Sequence, residues 1–173
     1  MKKISILIAA ILVSTFTFAQ DNAIGKHFSE YQKNKDFTKV SVTSKMFSLM
    51  TEIDMDDPDE KELLEAMSKL KGIKAVVNEK TENSADLYYK AIETVGKDRS
   101  YEELMSVEDA EENIMFLVRD NGGVINELLM IVGGNNNFMV MTLFGEIDLS
   151  QIAKLSRIMK IDGMEQFQAL EKK

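Results

Sequence analysis

The sequence predicts a single α+β domain, a mainly antiparallel sheet packed by amphipathic helices. Three observations predict it. Between about residues 113 and 144, three apolar runs are separated by Asp120-Asn121-Gly122-Gly123 and by Gly133 to Asn137, the pattern of a three-stranded meander. Elsewhere, apolar residues recur three and four positions apart in segments of helical length. No linker or low-complexity stretch divides the chain, so one core is expected.

In chain order, Gln20 to Asn34 reads as a helix with Ile24, His27, Phe28 and Tyr31 on one face. Phe37 to Thr43 alternates as a short strand. Ser44 then caps a helix carrying Met46, Phe47, Met50 and Ile53. The acidic stretch Asp54 to Glu60 reads as a helix start, with Asp57 as N-cap, Pro58 in the first turn and Glu60 closing a capping box. Leu63, Leu64, Met67 and Leu70 form that helix's apolar stripe, and Gly72 stops it. Ile73 to Glu79 is a strand. Thr81 to Val95 is a helix with Leu87, Tyr88, Ala91, Ile92 and Val95 inward and Gly96 as its stop. Tyr101 to Glu108 is read as a strand. The meander follows as Asn113–Arg119, Val124–Val132 and Phe138–Phe144. Asp148 with Gln151 forms a second capping box, and Asp162 opens a last short helix.

Residues 1–19 have the layout of a secretory signal peptide: Met1-Lys2-Lys3, an apolar run from Ile4 to Phe18, and small residues Thr17 and Ala19 before Gln20. The run is short for a membrane span. The expectation is cleavage between Ala19 and Gln20, leaving residues 20–173 as one domain, periplasmic or secreted. Gln20 stands where a lipoprotein would need Cys, so no membrane anchor is expected after cleavage.

Composition narrows the function classes. The chain has no cysteine, which excludes a disulfide framework, thiolate metal sites and a Cys nucleophile. Loss of Lys2 and Lys3 with the leader takes the net charge from −8 to −10, a field that repels nucleic acid. His27 is the single histidine, too few for a multi-His metal site, and is read as structural. Aligned as a calcium loop, Asp54, Asp56 and Glu65 take positions one, three and twelve, but Pro58 stands at ligand position five and Asp59 where the essential glycine of position six belongs. The glycines of the two turns lie between strands and do not form a phosphate loop. Asn126 and Glu127 interrupt an apolar strand. An exposed rim position is the simpler reading, and a buried Glu127 would need Arg119 or a lysine beside it. No catalytic residue, cofactor ligand or metal ligand is assigned.

The meander is apolar on both faces, unlike a half-wet antiparallel sheet. Helices would cover one face, with chain ends or a second subunit on the other. Alternatively the face is a surface for an apolar ligand or a protein, with Met115, Met130, Met139 and Met141 as adaptable contacts.

Phe37-Thr38-Lys39-Val40-Ser41-Val42 with Met46-Phe47, Tyr101 to Met105, Ile125 to Leu129, and Phe138 through Leu149 resemble a family of small exported Bacteroidota proteins known only as a domain of unknown function. The leader's end, Phe18-Ala19-Gln20, is similar to leaders of that group. The resemblance covers most of the mature chain. Many members have a lipobox Cys, from which this chain departs. Their genes often neighbour extracytoplasmic-function sigma factors, which implies a role in envelope sensing or stress response. The resemblance supplies no activity and no site residues. The expected function is thus binding or association in the envelope, as a possible homo-oligomer. A carboxylate-based hydrolase and a calcium-responsive module are the alternatives.

Overall fold

The computed structural model describes residues 22–51 and 58–149. The elements in order are α1 (Ala23–His27), α2 (Ser29–Lys33), β1 (Thr38–Thr43), α3 (Ser44–Thr51), α4 (Pro58–Ser68), β2 (Leu70–Asn78), α5 (Ser84–Gly96), β3 (Glu102–Glu108), β4 (Glu112–Asp120), β5 (Ile125–Gly134) and β6 (Asn137–Ile147). The six strands form one sheet of order β1-β2-β6-β5-β4-β3, antiparallel throughout. This is the α+β class expected, and β4-β5-β6 is the meander.

Both faces of the central strands are apolar because helices of this chain pack on both. Toward one face, α1, α2 and α5 bring Ile24, Phe28, Tyr31, Tyr88, Ala91 and Val95 onto Val76, Leu117, Leu129, Ile131, Phe138 and Val140. Toward the other, Phe47 of α3 and Met67 of α4 join Ile114, Phe116, Leu128, Met130 and Val132. The expectation of helices on one face only is therefore corrected. Burying a side chain such as Phe116 or Leu129 contributes about 2 kcal/mol each. The four methionines do not make one surface: Met115 packs in the first cluster, and Met130, Met139 and Met141 in the second.

Several boundaries differ from those read in the sequence. The first helix is broken at Phe28, whose φ of −121° separates α1 from α2, although Ile24, Phe28 and Tyr31 are all buried as expected. Met46 of α3 is 53% exposed, not part of a buried stripe. Helix α4 ends at Ser68, and Leu70 and Gly72 already belong to β2. Gly72 is not a helix stop. A Cβ there would lie 2.6 Å from the Phe144 ring, so the glycine makes room for a cross-strand aromatic.

The β5–β6 turn is also shorter than expected. Gly134 pairs with Asn137, so the loop is Asn135-Asn136 alone, with φ of 48° and 60°. Asparagine tolerates this left-handed region and suits a tight hairpin. Gly133 stays in the strand beneath α5, where a Cβ would meet that of Tyr88 at 2.5 Å. The leader, the Asp57 cap, Ile53, the second capping box at Gln151 and the helix at Asp162 lie outside the described residues. Among those described, no helix is long and apolar enough to cross a membrane.

Candidate functional site

The polar centre of the molecule is Glu127, on the face of β5 beneath α1, and it is fully buried. Its Oε1 accepts from the Ala23 backbone N–H at 2.5 Å and from the Thr142 hydroxyl at 2.5 Å. Its Oε2 accepts from the Tyr101 hydroxyl at 2.7 Å and pairs with an Arg119 guanidinium nitrogen at 3.0 Å. Four donors from α1, β6, the start of β3 and β4 thus converge on one carboxylate. The rim position expected for Glu127 is overturned, and of the partners expected for a buried Glu127, Arg119 or a lysine, it is Arg119 that stands beside it. The two residues stand directly opposite in the β4–β5 ladder. A bulge between Arg119 and Asp120 sets that register. Turn length alone does not predict such a bulge, so the local sequence offers Arg119 as a candidate partner without fixing the register that sets it opposite Glu127.

The Arg119 guanidinium also lies 5.8 Å from the Tyr101 ring centre, a cation–π contact. Burial, followed by the charge of Glu127 and the hydrogen bond to it, raises the Tyr101 hydroxyl far above its ordinary pKa. Tyr101 therefore keeps its proton throughout the physiological range and donates a hydrogen bond to Glu127. With both oxygens engaged by structural donors, Glu127 clamps α1 onto the sheet.

A second cluster holds the same helix from outside. Asp98 accepts from Lys26 Nζ at 2.6 Å and lies 2.9 Å from His27 Nε2. Its other oxygen accepts from the Ser100 hydroxyl and backbone N–H. The Lys26 hydrogen bond, then that of Ser100, hold the Asp98 carboxyl well below the usual carboxylate range. A depressed folded-state pKa adds stability that is present above the unfolded value near 4 and lost as pH falls. Asp98→Asn should therefore cost about 1 kcal/mol at neutral pH. The gap to wild type should close progressively below about pH 4. Urea titrations at several pH values measure it; a constant gap down to pH 2 would show that the charge contributes nothing. His27 packs edge-on against Tyr101 and Phe28.

Beside the Glu127 clamp the surface opens. At the end of the sheet where β2 and β5 begin and β4 and β6 finish, a cleft of about 600 Å³ is lined by Asn22, Lys69, Lys71, Arg119, Asn121 and Asn126, with Phe144 and Glu146. A neighbouring cleft of about 640 Å³ shares Lys69, Val124 and Glu146 with it. Two local features build this end. Gly122 and Gly123 turn the β4–β5 hairpin with φ of 72° and 89°, and Asp120 accepts from the Gly123 N–H at 2.9 Å. Gly145, at φ 141°, lets β6 approach the start of β2, where the Glu146 N–H donates to the Lys69 carbonyl at 3.1 Å. Asn126, read as an interruption of the strand, has a place here as a cleft residue. Lys69 stands 3.7 Å from Glu65 and 3.8 Å from Glu146, so Glu65 is engaged as an ion-pair partner. The other candidate calcium positions, Asp54 and Asp56, lie outside the described residues. Among the described residues no cluster of three or more acidic or histidine side chains is arranged to hold a metal.

Three cations, three side-chain amides and the Glu146 carboxylate line the cleft; Lys69 is shared with Glu65 and Glu146 and Arg119 is paired with Glu127, so the positive charge of the cleft is partly balanced. Such a set holds a small anionic group by charge and a polar body by hydrogen bonds. Arg119 arrives already oriented by Glu127 and Tyr101, which reduces the ordering cost of binding. Comparison with curated proteins finds no match. A family model, that of the domain of unknown function DUF4252, matches residues 31–155, a span from α2 through the whole sheet. The chain belongs to the DUF4252 family.

Proposed function

We propose that this chain is an exported binding protein of the cell envelope, in the periplasm or secreted, that captures a small polar ligand bearing a carboxylate or phosphate group. The N-terminal pattern supports the address, with cleavage between Ala19 and Gln20 releasing the domain. The observation that carries the binding reading is the cleft at the sheet end, where Lys69, Lys71 and Arg119 meet Asn22, Asn121 and Asn126 on a strongly acidic chain. Local positive charge on such a chain marks where an anion is accepted. Binding suits this site better than hydrolysis, because a single carboxylate, Glu146, lines the cleft and it lies 3.8 Å from Lys69, while Glu127 behind Arg119 is occupied by four donors. A part in envelope sensing, with ligand capture as the input, is consistent with this reading.

Calorimetric titration and thermal melts with inorganic phosphate, citrate and sugar phosphates test it. At least one is expected to raise Tm by several degrees, as binding to the folded state requires. Lys71→Glu, at an exposed position, should weaken that ligand about tenfold or more without changing the melt of the free protein. Absence of any shift across the series, or a shift that Lys71→Glu leaves intact, would sink the proposal.

A further inference from the structure

The two edges of the sheet are chemically opposite. At one edge β1 is exposed at every position except the half-buried Val42. Residues 37–51, which hold β1 and α3, contain Lys39 and Lys45 and no carboxylate, and β2 behind them adds Lys71 and Lys74, again with none. At the other edge β3 carries Glu102, Glu103 and Glu108, and Asp109, Glu111 and Glu112 follow without an intervening base. An open strand edge is a template for strand addition, and proteins blunt such edges with charge. Acidic groups blunt β3, whereas β1 has one lysine against them.

The strand order makes the edges fit each other. The sheet has six strands and alternates direction throughout, so β1 and β3 run in opposite directions. In a second copy shifted sideways without turning over, β3 therefore lies antiparallel to β1, and each face of the sheet continues into the same face of the next. The faces match as well. Lys39, Ser41 and Thr43 share the α5 side with Glu103, Ser106 and Glu108, as their ladder partners Val76 and Leu117 show. Val40 and Val42 share the opposite side with Met105 and Val107. Registers two residues apart keep the faces matched, and among them we take the one that also pairs opposite charges. It sets Lys39 against Glu108, Val40 against Val107, Ser41 against Ser106 and Val42 against Met105, with Leu104 left in the bulge that already lies between Glu103 and Met105. Val40, 44% exposed in the single chain, is covered in this arrangement.

We propose that the occupant of the β1 edge is the β3 edge of a second copy of this chain, giving head-to-tail assembly through a continuous antiparallel sheet. The contact is heterologous, so it extends beyond dimers. A symmetric β1–β1 pair would instead bring two lysine-bearing edges together, which like-charge repulsion opposes. This inference does not depend on the cleft.

Sedimentation velocity of the purified protein at about 100 µM tests it. At about 50 mM salt, species at several multiples of the protomer mass are expected, and they should dissociate toward the protomer at about 500 mM, where screening removes the Lys39–Glu108 attraction. Lys39→Glu alone and Glu108→Lys alone should each weaken association about tenfold or more. Both are exposed-strand substitutions, and unchanged circular dichroism would confirm the fold. Mixing the two variants restores a Glu–Lys pair at every joint, so assembly should return in the mixture. A protomer at all salt concentrations would overturn the proposal. So would assembly that survives both single variants, which would indicate a β1–β1 pair or another surface, or a mixture that fails to recover, which would point to an acidic strand of a different protein.

Discussion

Replacing Glu127 with alanine is expected to cost about 4 kcal/mol of unfolding free energy, a loss of roughly 10 °C in Tm for a domain of this size. The carboxylate has no exposure, and four donors lose their acceptor together: the Ala23 amide, the Thr142 and Tyr101 hydroxyls and the Arg119 guanidinium. Removing one partner of a buried ion pair leaves the other charge uncompensated, which is the larger part of the cost. Glu127→Gln should recover only part of it. An amide oxygen can serve one side of the network, but its NH2 then faces donors on the other. The double variant Glu127→Leu with Arg119→Met removes both charges and should be closer to wild type than Glu127→Ala. Urea denaturation of the three variants decides the matter. A Glu127→Ala loss under about 1 kcal/mol would mean that water reaches the site and replaces the carboxylate.

Gly145→Ala is expected to be nearly as damaging, at about 3 kcal/mol or more, and to act on the fold and the cleft together. Its φ of 141° is open to glycine and strained for any other residue. A Cβ there would also stand 2.6 Å from the Lys69 carbonyl oxygen and 2.7 Å from both Leu70 Cα and Lys71 N. These neighbours are backbone and cannot swing aside. Relief requires β6 to separate from the start of β2, which moves Lys69, Lys71 and Glu146, all of which line the cleft. Gly96→Ala is the control, since nothing lies within 4 Å of a Cβ at Gly96 and its φ is ordinary. Thermal melts of the two variants should differ by several degrees, with Gly96→Ala at or slightly above wild type. Equal melts would show that the Gly145 backbone relaxes at little cost.

The elements with strong local signals are legible in the sequence. Helix α5 has its apolar residues at helical spacing, and Tyr88, Ala91 and Val95 are buried as that spacing requires. The meander is visible because glycine and asparagine turns separate apolar runs, and the continuous apolar run Leu128–Val132 within β5 correctly indicates that both faces are covered. The start of α4 at Pro58 follows from its position as a first-turn residue. Less legible is everything that depends on what lies across the sheet. Gly72 looks like a helix stop because glycine often is one, but its partner is Phe144, 72 residues away. Met46 has the spacing of a buried residue and is exposed, because α3 lies at the edge of the sheet; among its described side chains Phe47 is the one that reaches the core.

The candidate site divides in the same way. Asn126 and Glu127 stand out as polar residues in an apolar strand, and Arg119 is the natural partner for a buried Glu127. Only the folded chain decides between rim and interior, because a bulge shifts the register and α1 closes over the carboxylate. Composition and local periodicity alone establish the antiparallel α+β class, the meander, the absence of thiol chemistry and the acidic balance. Folding in three dimensions settles which polar residues are buried and bonded, which glycines are required by close approach, and which cations gather at the sheet end. Those are set by residues far apart in the chain, and pairwise contact across strands leaves little trace in local sequence.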